Sequence, residues 1–484
     1  MQKEISIRKG MKGNIIGREI EIELLSRIYS SGQAEFVAVY GRRRVGKTFL
    51  IREYFEGNLI FQTSGLANAN TGEQLKNFYY TIKRYDQTVS REPADWLEAF
   101  EMLISYLTSL GEGRKVLFFD ELPWMDTQGA NFVSALEHFW NGWASARRDI
   151  VLIVCGSATS WMMNKLINNH GGLYGRLTRR ISLSPFTLGE ASQFLASRGI
   201  MFSPYEIAET YMIMGGIPYY LQMLDARLSL AQNVDRLLFN PNGELYDEFA
   251  ILYRSLFNDS DLYVKVVDCL HRKGYGMTRN EISAASGIKS GKTMTTILEN
   301  LVACGFVRKY VNYGCTERKS LFQLIDFFTL FHFRFMRESS FRNLSFWTGL
   351  QRTPRFYTWA GISFEVLVTT HVSQIKQKLG ISGVATNEYA WRSRKDQDSD
   401  GAQIDLIIER ADNTLNICEM KFSEGEYAIT KEYEKSLRQK VSTFIAQTKT
   451  RKSVQLTLIS TYGMKRTIYS GCIQNEVTLD DLFD

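Results

Sequence analysis

Residues 36–48 read Phe36-Val-Ala-Val-Tyr40-Gly41-Arg42-Arg43-Arg44-Val45-Gly46-Lys47-Thr48, and Phe49 then opens a helical pattern. A short apolar run followed at once by a glycine-rich turn predicts a buried strand of a parallel sheet. The turn matches G-x-x-x-x-G-K-[ST], in which glycines let backbone N–H groups curl around phosphate oxygens. We therefore expect residues 41–49 to bind a nucleotide phosphate chain, with Lys47 pairing the β- and γ-phosphates. The Thr48 hydroxyl is expected to ligate Mg²⁺.

Two further apolar runs end in polar residues of the kind that such a site needs. Residues 116–119 lead into Asp120-Glu121. Asp120 is expected to hold the magnesium ion, commonly through water, and Glu121 to polarise the attacking water. The run 150–154 leads to Ser157, a small polar residue placed to sense the γ-phosphate.

The order of these patterns predicts an α/β fold. Strands and helices alternate over residues 35–190, with residues 96–107 as one of the helices, so a parallel sheet is expected. Residues 190–250 are helical and poor in strands. Residues 260–325 follow the order helix, helix, helix, strand, strand, and the last 130 residues return to mixed α/β. The polar tract 392–401 is expected to be a loop.

These motifs together resemble the archaeal-type ATPases of the AAA+/STAND branch, which are also widespread in bacteria. The resemblance is carried by Gly17-Arg18-Glu19, the 41–48 loop, Asp120-Glu121, Gly156-Ser157, Leu173 to Arg176, Leu183 to Phe186, and Gly215-Gly216-Ile217-Pro218. It implies a P-loop ATPase sheet with a helical lid. It makes Arg18 and Pro218 candidate nucleotide contacts. It makes Arg176 a candidate γ-phosphate sensor or trans-acting arginine finger, with Arg179 and Arg180 as nearby rivals.

The positive charge of the chain is concentrated in one segment. The net charge is +6, but residues 1–250 carry 26 Lys/Arg against 27 Asp/Glu, and residues 351–484 carry 18 against 17. Residues 251–350 carry 14 against 8. This asymmetry indicates a module that faces a polyanion.

The same segment fits a winged helix-turn-helix over residues 261–325. Thr278 with Glu281 predicts a capping box at the start of its second helix. The basic residues of the third helix and the wing are then expected to contact DNA phosphates: Lys289, Lys292, Arg308, Lys309, Arg318 and Lys319. The alternative is a winged helix used only for internal packing or regulation, and the sequence leaves both open. The aromatic stretch 327–335 is expected to be a packing helix.

The last domain offers a set of carboxylates. Asp405 begins an apolar strand, Glu419 and Lys421 alternate on a second strand, and Glu365 lies in a helical context. An Asp and a Glu on adjacent strands can share a divalent cation, and a lysine beside them can stabilise a phosphate transition state. The pattern resembles the restriction-endonuclease-like PD-(D/E)xK superfamily, which implies metal ligands Asp405 and Glu419 and a nuclease-like site of Glu365, Asp405, Glu419 and Lys421. No proline precedes Asp405.

Composition argues against a disulfide-rich, zinc-binding or membrane-spanning protein. Six scattered cysteines without a C-x-x-C pattern favour reduced thiols over a disulfide frame or a zinc site. The first residues show no apolar leader, and no run of about 18 apolar residues predicts a membrane span. We expect a cytoplasmic protein without membrane contact.

The sequence thus predicts four modules: an ATPase domain (1–190), a helical lid (191–255), a winged helix (256–345) and a nuclease-like domain (346–484).

The leading hypothesis for function is a magnesium-dependent ATPase switch or motor that couples ATP to DNA at residues 256–325 and to the nuclease-like domain. A non-hydrolytic ATP-binding scaffold that recruits a protein partner is one alternative. A DNA endonuclease regulated by ATP is another. A trans-acting Arg176 would require a homo-oligomer, and a second metal is expected only at the C-terminal site.

Overall fold

The structure is a computed structural model that describes residues 15–157, 161–167, 173, 175–257, 259–337, 345–393 and 402–484. Most of the predicted polar loop, residues 394–401, lies outside these ranges. The chain divides into two compact units, Met1–Pro185 and Phe186–Asp484, which we call unit 1 and unit 2. The four module boundaries expected from the sequence stay a prediction.

A five-stranded sheet forms the centre of unit 1. All its ladders are parallel, and the strand order is β2-β3-β4-β1-β5. The strands are β1 (Glu35–Tyr40), β2 (Leu59–Ser64), β3 (Lys115–Asp120), β4 (Ile150–Gly156) and β5 (Arg179–Ser182). Every residue of β3 and β4 is buried, as expected for strands covered on both faces. The predicted parallel α/β fold is confirmed.

Helices cover this sheet and supply its core. They are α1 (Glu19–Ser30), α2 (Lys47–Tyr54), α3 (Thr71–Tyr85), α4 (Trp96–Ser109), α5 (Leu122–Met125) and α6 (Phe132–Gly142). Helix α4 begins after Asp95, whose side chain accepts a hydrogen bond from the Glu98 N–H. Its buried Phe100 stacks on Phe119 of β3 and on Phe139 of α6, with ring centroids 6.0 and 5.1 Å apart. Aromatic packing therefore fixes α4 on the sheet.

Unit 2 begins with a helix-rich segment, as predicted. The helices of this segment are α7 (Leu188–Ser197), α8 (Pro204–Met214), α9 (Pro218–Leu221), α10 (Leu230–Val234) and α11 (Glu248–Leu256). Four more helices lie further along the chain, after the three described in the next paragraph: α15 (Phe327–Phe331), α16 (Phe346–Leu350), α17 (Pro354–Thr370) and α18 (Val372–Lys378). Phe331 and Phe335 are fully buried and contact Trp347 and Trp359. The aromatic stretch is thus a packing element, as the sequence predicts.

The predicted order of three helices and two strands over residues 260–325 is found within unit 2, together with a third short strand. Helices α12 (Ser260–Lys273), α13 (Arg279–Ser286) and α14 (Lys292–Ala303) accompany a three-stranded sheet of order β6-β8-β7. Its strands are β6 (Met277–Thr278), β7 (Val307–Tyr310) and β8 (Leu321–Leu324). The capping box of Thr278 and Glu281 forms at the start of α13. Helix α14 begins at Lys292, because Gly291 takes the N-cap position.

A second five-stranded sheet closes the chain, in the order β15-β13-β11-β10-β9. Its strands are β9 (Thr386–Arg392), β10 (Gln403–Arg410), β11 (Thr414–Lys421), β13 (Ser453–Ser460) and β15 (Asn475–Thr478). A small pair, β12 (Tyr427–Ala428) with β14 (Met464–Lys465), lies beside it. Helix α19 (Lys431–Thr448) packs on the sheet through the fully buried Leu437 and Phe444. No helix among the described residues is long and apolar enough to cross a membrane.

Truncation of Phe100 tests the aromatic packing of α4. We expect Phe100→Ala to lower the free energy of unfolding by about 3–5 kcal/mol, because the ring is buried between two other rings. Leu97→Ala on the same helix removes a side chain that is 49% exposed, and should change this free energy by no more than about 0.5 kcal/mol. Chemical denaturation followed by tryptophan fluorescence compares the two, and equal effects would contradict the packing assigned here.

Candidate functional site

The carboxyl ends of β1, β4 and β3 bring the predicted nucleotide-site residues together. Parallel strands end at the same edge of a sheet, and β4 lies between β1 and β3. The loop after β1, the Asp120-Glu121 pair after β3 and Ser157 after β4 are therefore neighbours. The Thr48 hydroxyl donates a hydrogen bond to Asp120 Oδ2 at 2.9 Å, which links the first two of these elements directly.

The loop after β1 has the backbone of a phosphate cradle. Gly41 and Gly46 have φ values of 139° and 90°, and Arg44 has a φ of 73°. A Cβ at residue 41 would lie 2.2 Å from the carbonyl oxygen of Leu183, so only glycine fits there. Helix α2 begins at Lys47, which directs the N-terminus of the helix and its N–H groups to the loop.

Lys47 is buried within this loop. Its Nζ donates hydrogen bonds to the carbonyl oxygens of Gly41 and Arg42, at 2.9 and 2.8 Å. The ammonium group therefore lies inside the curve of the loop, where the phosphate chain of a nucleotide would pass. The side chain of Arg42 is also buried. Phe49, two residues after Lys47 in α2, is 52% exposed.

Glu121 is held by the residue at the end of β4. The Ser157 hydroxyl donates to Glu121 Oε2 at 2.8 Å, and the Ser157 N–H donates to the same oxygen at 3.2 Å. Glu121 itself has a φ of 46°, an uncommon backbone conformation for a residue other than glycine. Strain of this kind is concentrated at functional sites. The pairing of Ser157 with Glu121 was not predicted from the sequence.

The three residues taken from the family resemblance lie in different places. Arg18 is buried in unit 1, and its guanidinium donates to the Val45 carbonyl at 3.3 Å. It therefore contacts the phosphate loop itself. Arg176 is exposed in unit 1, and so are its rivals Arg179 and Arg180. Pro218 is the first residue of α9 in unit 2.

A separate cleft in unit 2 collects the predicted carboxylates. It has a volume of about 400 Å³ and is lined by Glu365, Gln403, Asp405, Glu419 and Lys440, among others. Leu406 pairs with Cys418 across β10 and β11, so Asp405 and Glu419 occupy the next position of the same ladder. Between Ile404 and Ile407 the pairing of β10 with β9 shifts register, and bulges of this kind re-aim side chains next to active sites.

The environment of each carboxylate differs. Burial, together with the charge of Asp405, raises the pKa of Glu365 to about 7. Burial alone would raise the pKa of Glu419 too, but Lys440 and Lys421 outweigh it, and the pKa is lowered. Asp405 Oδ1 accepts a hydrogen bond from the Gln403 side chain at 2.5 Å.

The carboxylates do not form a ready metal centre. Both oxygens of Glu419 already accept hydrogen bonds, from Tyr433 and from Lys440. Within the described ranges, no group of three or more His, Cys, Asp or Glu residues could hold a metal ion. Sequence reasoning missed Tyr433 and Lys440, although their spacing of seven residues places them on one face of a helix.

One of the basic residues predicted to contact DNA, Arg308, is only partly exposed. The Arg308 Nε donates to Gln323 Oε1 at 2.8 Å, and its guanidinium stacks on Tyr310. Its charge faces Asp405 and Glu388 of the C-terminal sheet. The phosphate contact predicted for Arg308 stays a prediction, and its guanidinium is already engaged by Gln323 and Tyr310.

The predicted wing, β7 and β8 with the segment between them, contacts the C-terminal sheet through backbone and ring contacts. The Tyr313 N–H donates to the Ala390 carbonyl at 2.8 Å. The Tyr313 ring lies 5.5 Å from Tyr389 and 5.3 Å from Phe444. Lys309 is exposed but pairs with Glu317 at 3.1 Å. The remaining four predicted cations are exposed: Lys289, Lys292, Arg318 and Lys319.

Comparison with known proteins finds a family match over the first part of the chain. Residues 15–224 match the model of an ATPase domain found predominantly in Archaea. An uncharacterised protein of Methanocaldococcus jannaschii is 25% identical over 332 residues, which cover 68% of this chain and 70% of that protein. An uncharacterised ATP-binding protein of the same organism is 41% identical over 49 residues, covering 10% of this chain and 83% of the relative.

Solved structures give weaker similarities. The Walker-type ATPase of Pyrococcus abyssi is 19% identical, with a TM-score of 0.48 over 66% of this chain and 95% of that one. The ORC2 protein of Aeropyrum pernix is 15% identical, with a TM-score of 0.40 over 76% of this chain and 99% of that one.

Substitution of Gly41 tests the cradle. We expect Gly41→Ala to lower nucleotide affinity by about tenfold or more, because the new Cβ collides with the Leu183 carbonyl and the left-handed backbone disfavours alanine. Gly111→Ala is the control, since a Cβ at residue 111 meets nothing within 4 Å. Titration with a fluorescent ATP analogue measures both, and unchanged affinity in Gly41→Ala would contradict the geometry assigned to the loop.

Proposed function

We propose that this chain is a magnesium-dependent ATPase whose nucleotide state controls unit 2, a proposal supported by the match of residues 15–224 to an ATPase domain found predominantly in Archaea. The observation that carries this proposal is the meeting of Lys47, Thr48, Asp120 and Glu121 at one edge of a parallel sheet. These are the residue types that neutralise phosphate charge, hold a magnesium ion and activate water.

Lys47 binds the phosphates of ATP in this proposal. Its Nζ exchanges the carbonyl oxygens of Gly41 and Arg42 for oxygens of the β- and γ-phosphates. The exchange keeps the buried ammonium group hydrogen-bonded and places it against a negative charge. The N–H groups of the loop and of the first turn of α2 supply the remaining donors.

Thr48 and Asp120 are the residues that would hold magnesium. Their side-chain oxygens lie within hydrogen-bond distance of each other, and Mg²⁺ prefers hard oxygen ligands of this kind. When bound, the ion neutralises charge on the β- and γ-phosphates. The two residues also orient the phosphate chain relative to Glu121, which follows Asp120 directly.

Glu121 acts on the attacking water. Its carboxylate accepts a proton from the water as the water oxygen bonds to the γ-phosphorus, and the bond from that phosphorus to the β-phosphate bridging oxygen breaks. ADP and phosphate are the products. Because Ser157 binds the Glu121 carboxylate, we propose that Glu121 turns from Ser157 to the water when ATP is bound.

Three further residues, carried over from the family resemblance, are proposed for the same site. Arg18 stabilises the phosphate loop through its hydrogen bond to the Val45 carbonyl. Arg176 is exposed and acts on the γ-phosphate, either in its own subunit or in that of a neighbouring copy. Pro218, carried over from the family resemblance, is proposed as a further nucleotide contact.

DNA is the proposed partner of the winged helix. The exposed side chains of Lys289, just before α14, and of Lys292, its first residue, support this assignment, as does the concentration of the net charge in residues 251–350. Arg318 and Lys319, between β7 and β8, are exposed as well and are proposed to add to the phosphate contacts.

Two substitutions separate nucleotide binding from hydrolysis. We expect Lys47→Ala to abolish ATP binding, because the buried cation of the loop is lost. We expect Glu121→Gln to keep ATP binding and to slow hydrolysis by about 100- to 10,000-fold, because the amide cannot accept the proton. Equilibrium binding and phosphate release measure the two effects. Unchanged binding in Lys47→Ala would contradict the assignment of the loop.

The second candidate function is nuclease activity in the cleft of unit 2. The observation that favours it is the pairing of β10 with β11, which puts Asp405 and Glu419 in one cleft with Glu365. We expect any cleavage of DNA in Mg²⁺ or Mn²⁺ to be lost in Asp405→Asn. Cleavage that survives this substitution would exclude the cleft as its site.

A further inference from the structure

The Glu419 carboxylate is fully engaged by side chains of its own chain. Lys440 Nζ donates to Oε2 at 2.6 Å, and the Tyr433 hydroxyl donates to Oε1 at 2.5 Å. Lys421 Nζ lies 3.1 Å from the same Oε1. Each oxygen therefore receives a charge-assisted hydrogen bond, the strong kind in proteins.

Lys440 is held in this position by the packing of α19. Leu437 and Phe444 lie on the buried side of the helix and are fully buried against the C-terminal sheet. Lys440 lies three residues after Leu437 and four before Phe444, so it projects from near the same face. Its side chain is 20% exposed, and that of Glu419 is 13% exposed. The ion pair is thus a partly desolvated one.

An ammonium group in this position competes with a metal ion. A divalent cation would need the same Glu419 oxygen, and the ammonium group of Lys440 would repel it. Arg308 adds a further positive charge that faces Asp405. This accounts for the disagreement between the family resemblance, which implies a metal at Asp405 and Glu419, and the arrangement of the carboxylates.

We propose that Lys440 occupies the cation position of the C-terminal cleft, so that a divalent metal binds there only after this lysine has left Glu419. The inference rests on the proposed nuclease-like function of the same cleft. Lys440 is therefore a positioning residue that controls metal access, and the cleft as folded is closed to metal by an internal salt bridge.

Metal binding to the full-length chain tests this directly. All variants carry Asp120→Asn, which removes the carboxylate proposed to hold metal at the nucleotide site. Lys440→Met keeps the length of the side chain and removes its charge. Lys435→Met is the matched control, since Lys435 is exposed on the same helix. Mn²⁺ affinity is measured by electron paramagnetic resonance in the absence of nucleotide.

We expect Lys440→Met to bind Mn²⁺ about tenfold or more tightly than its parent, because the competing charge is gone, and Lys435→Met to bind as the parent does. Adding Asp405→Asn to Lys440→Met should remove the gain, and Lys440→Arg should restore the affinity of the parent. Equal affinity in Lys440→Met and its parent would overturn the proposal, and so would a gain that survives Asp405→Asn.

Nuclease assays on the same proteins keep the two proposals apart. If Lys440→Met gains Mn²⁺ affinity but neither it nor the parent cleaves DNA, then Lys440 controls metal access and the nuclease function fails. If the parent cleaves DNA in Mn²⁺ while Lys440→Met shows no gain in affinity, the nuclease function stands and the role of Lys440 fails.

Discussion

The parallel ladder that places β4 between β1 and β3 is the constraint on which the nucleotide site depends. Tyr40 pairs with Gly156 in one ladder and Phe119 with Val154 in the other, so three strand ends reach one edge in fixed register. The hydrogen bond of Thr48 to Asp120 and that of Ser157 to Glu121 both follow from this register. Each residue lies at the end of a rigid strand or helix, which fixes the position of its side chain more precisely than a long loop would.

Much of unit 1 could be predicted because its strands are buried on both faces. Such strands are continuous apolar runs, and the polar residues that end them stand out against the core. The contact between Ser157 and Glu121 could not be predicted in this way. It depends on strand order, on the left-handed backbone of Glu121 and on side-chain rotamers, and none of these leaves a signal in local sequence.

In unit 2, the charge of a residue in the sequence was a poor predictor of its environment in the fold. A basic residue on a predicted wing is expected to be solvated, yet Arg308 stacks on Tyr310 and faces the carboxylates of the next sheet. Lys440 likewise belongs to a helix whose charges suggest an ordinary exposed surface. In both cases the partner is distant in sequence, so the pairing depends on tertiary packing rather than on any local pattern. The carboxylates themselves were predictable, because strand pairing follows from two adjacent apolar runs.

We propose that the sheet edge of unit 1 hydrolyses ATP and does not only bind it. Single-turnover hydrolysis tests it most directly, with the chain in excess over γ-labelled ATP, with and without DNA. The arrangement of Lys47, Thr48, Asp120 and Glu121 predicts that bound ATP is converted to ADP and labelled phosphate in Mg²⁺ and not in EDTA. Recovery of the bound nucleotide as intact ATP in Mg²⁺, with and without DNA, would contradict hydrolysis and identify the chain as an ATP-binding scaffold.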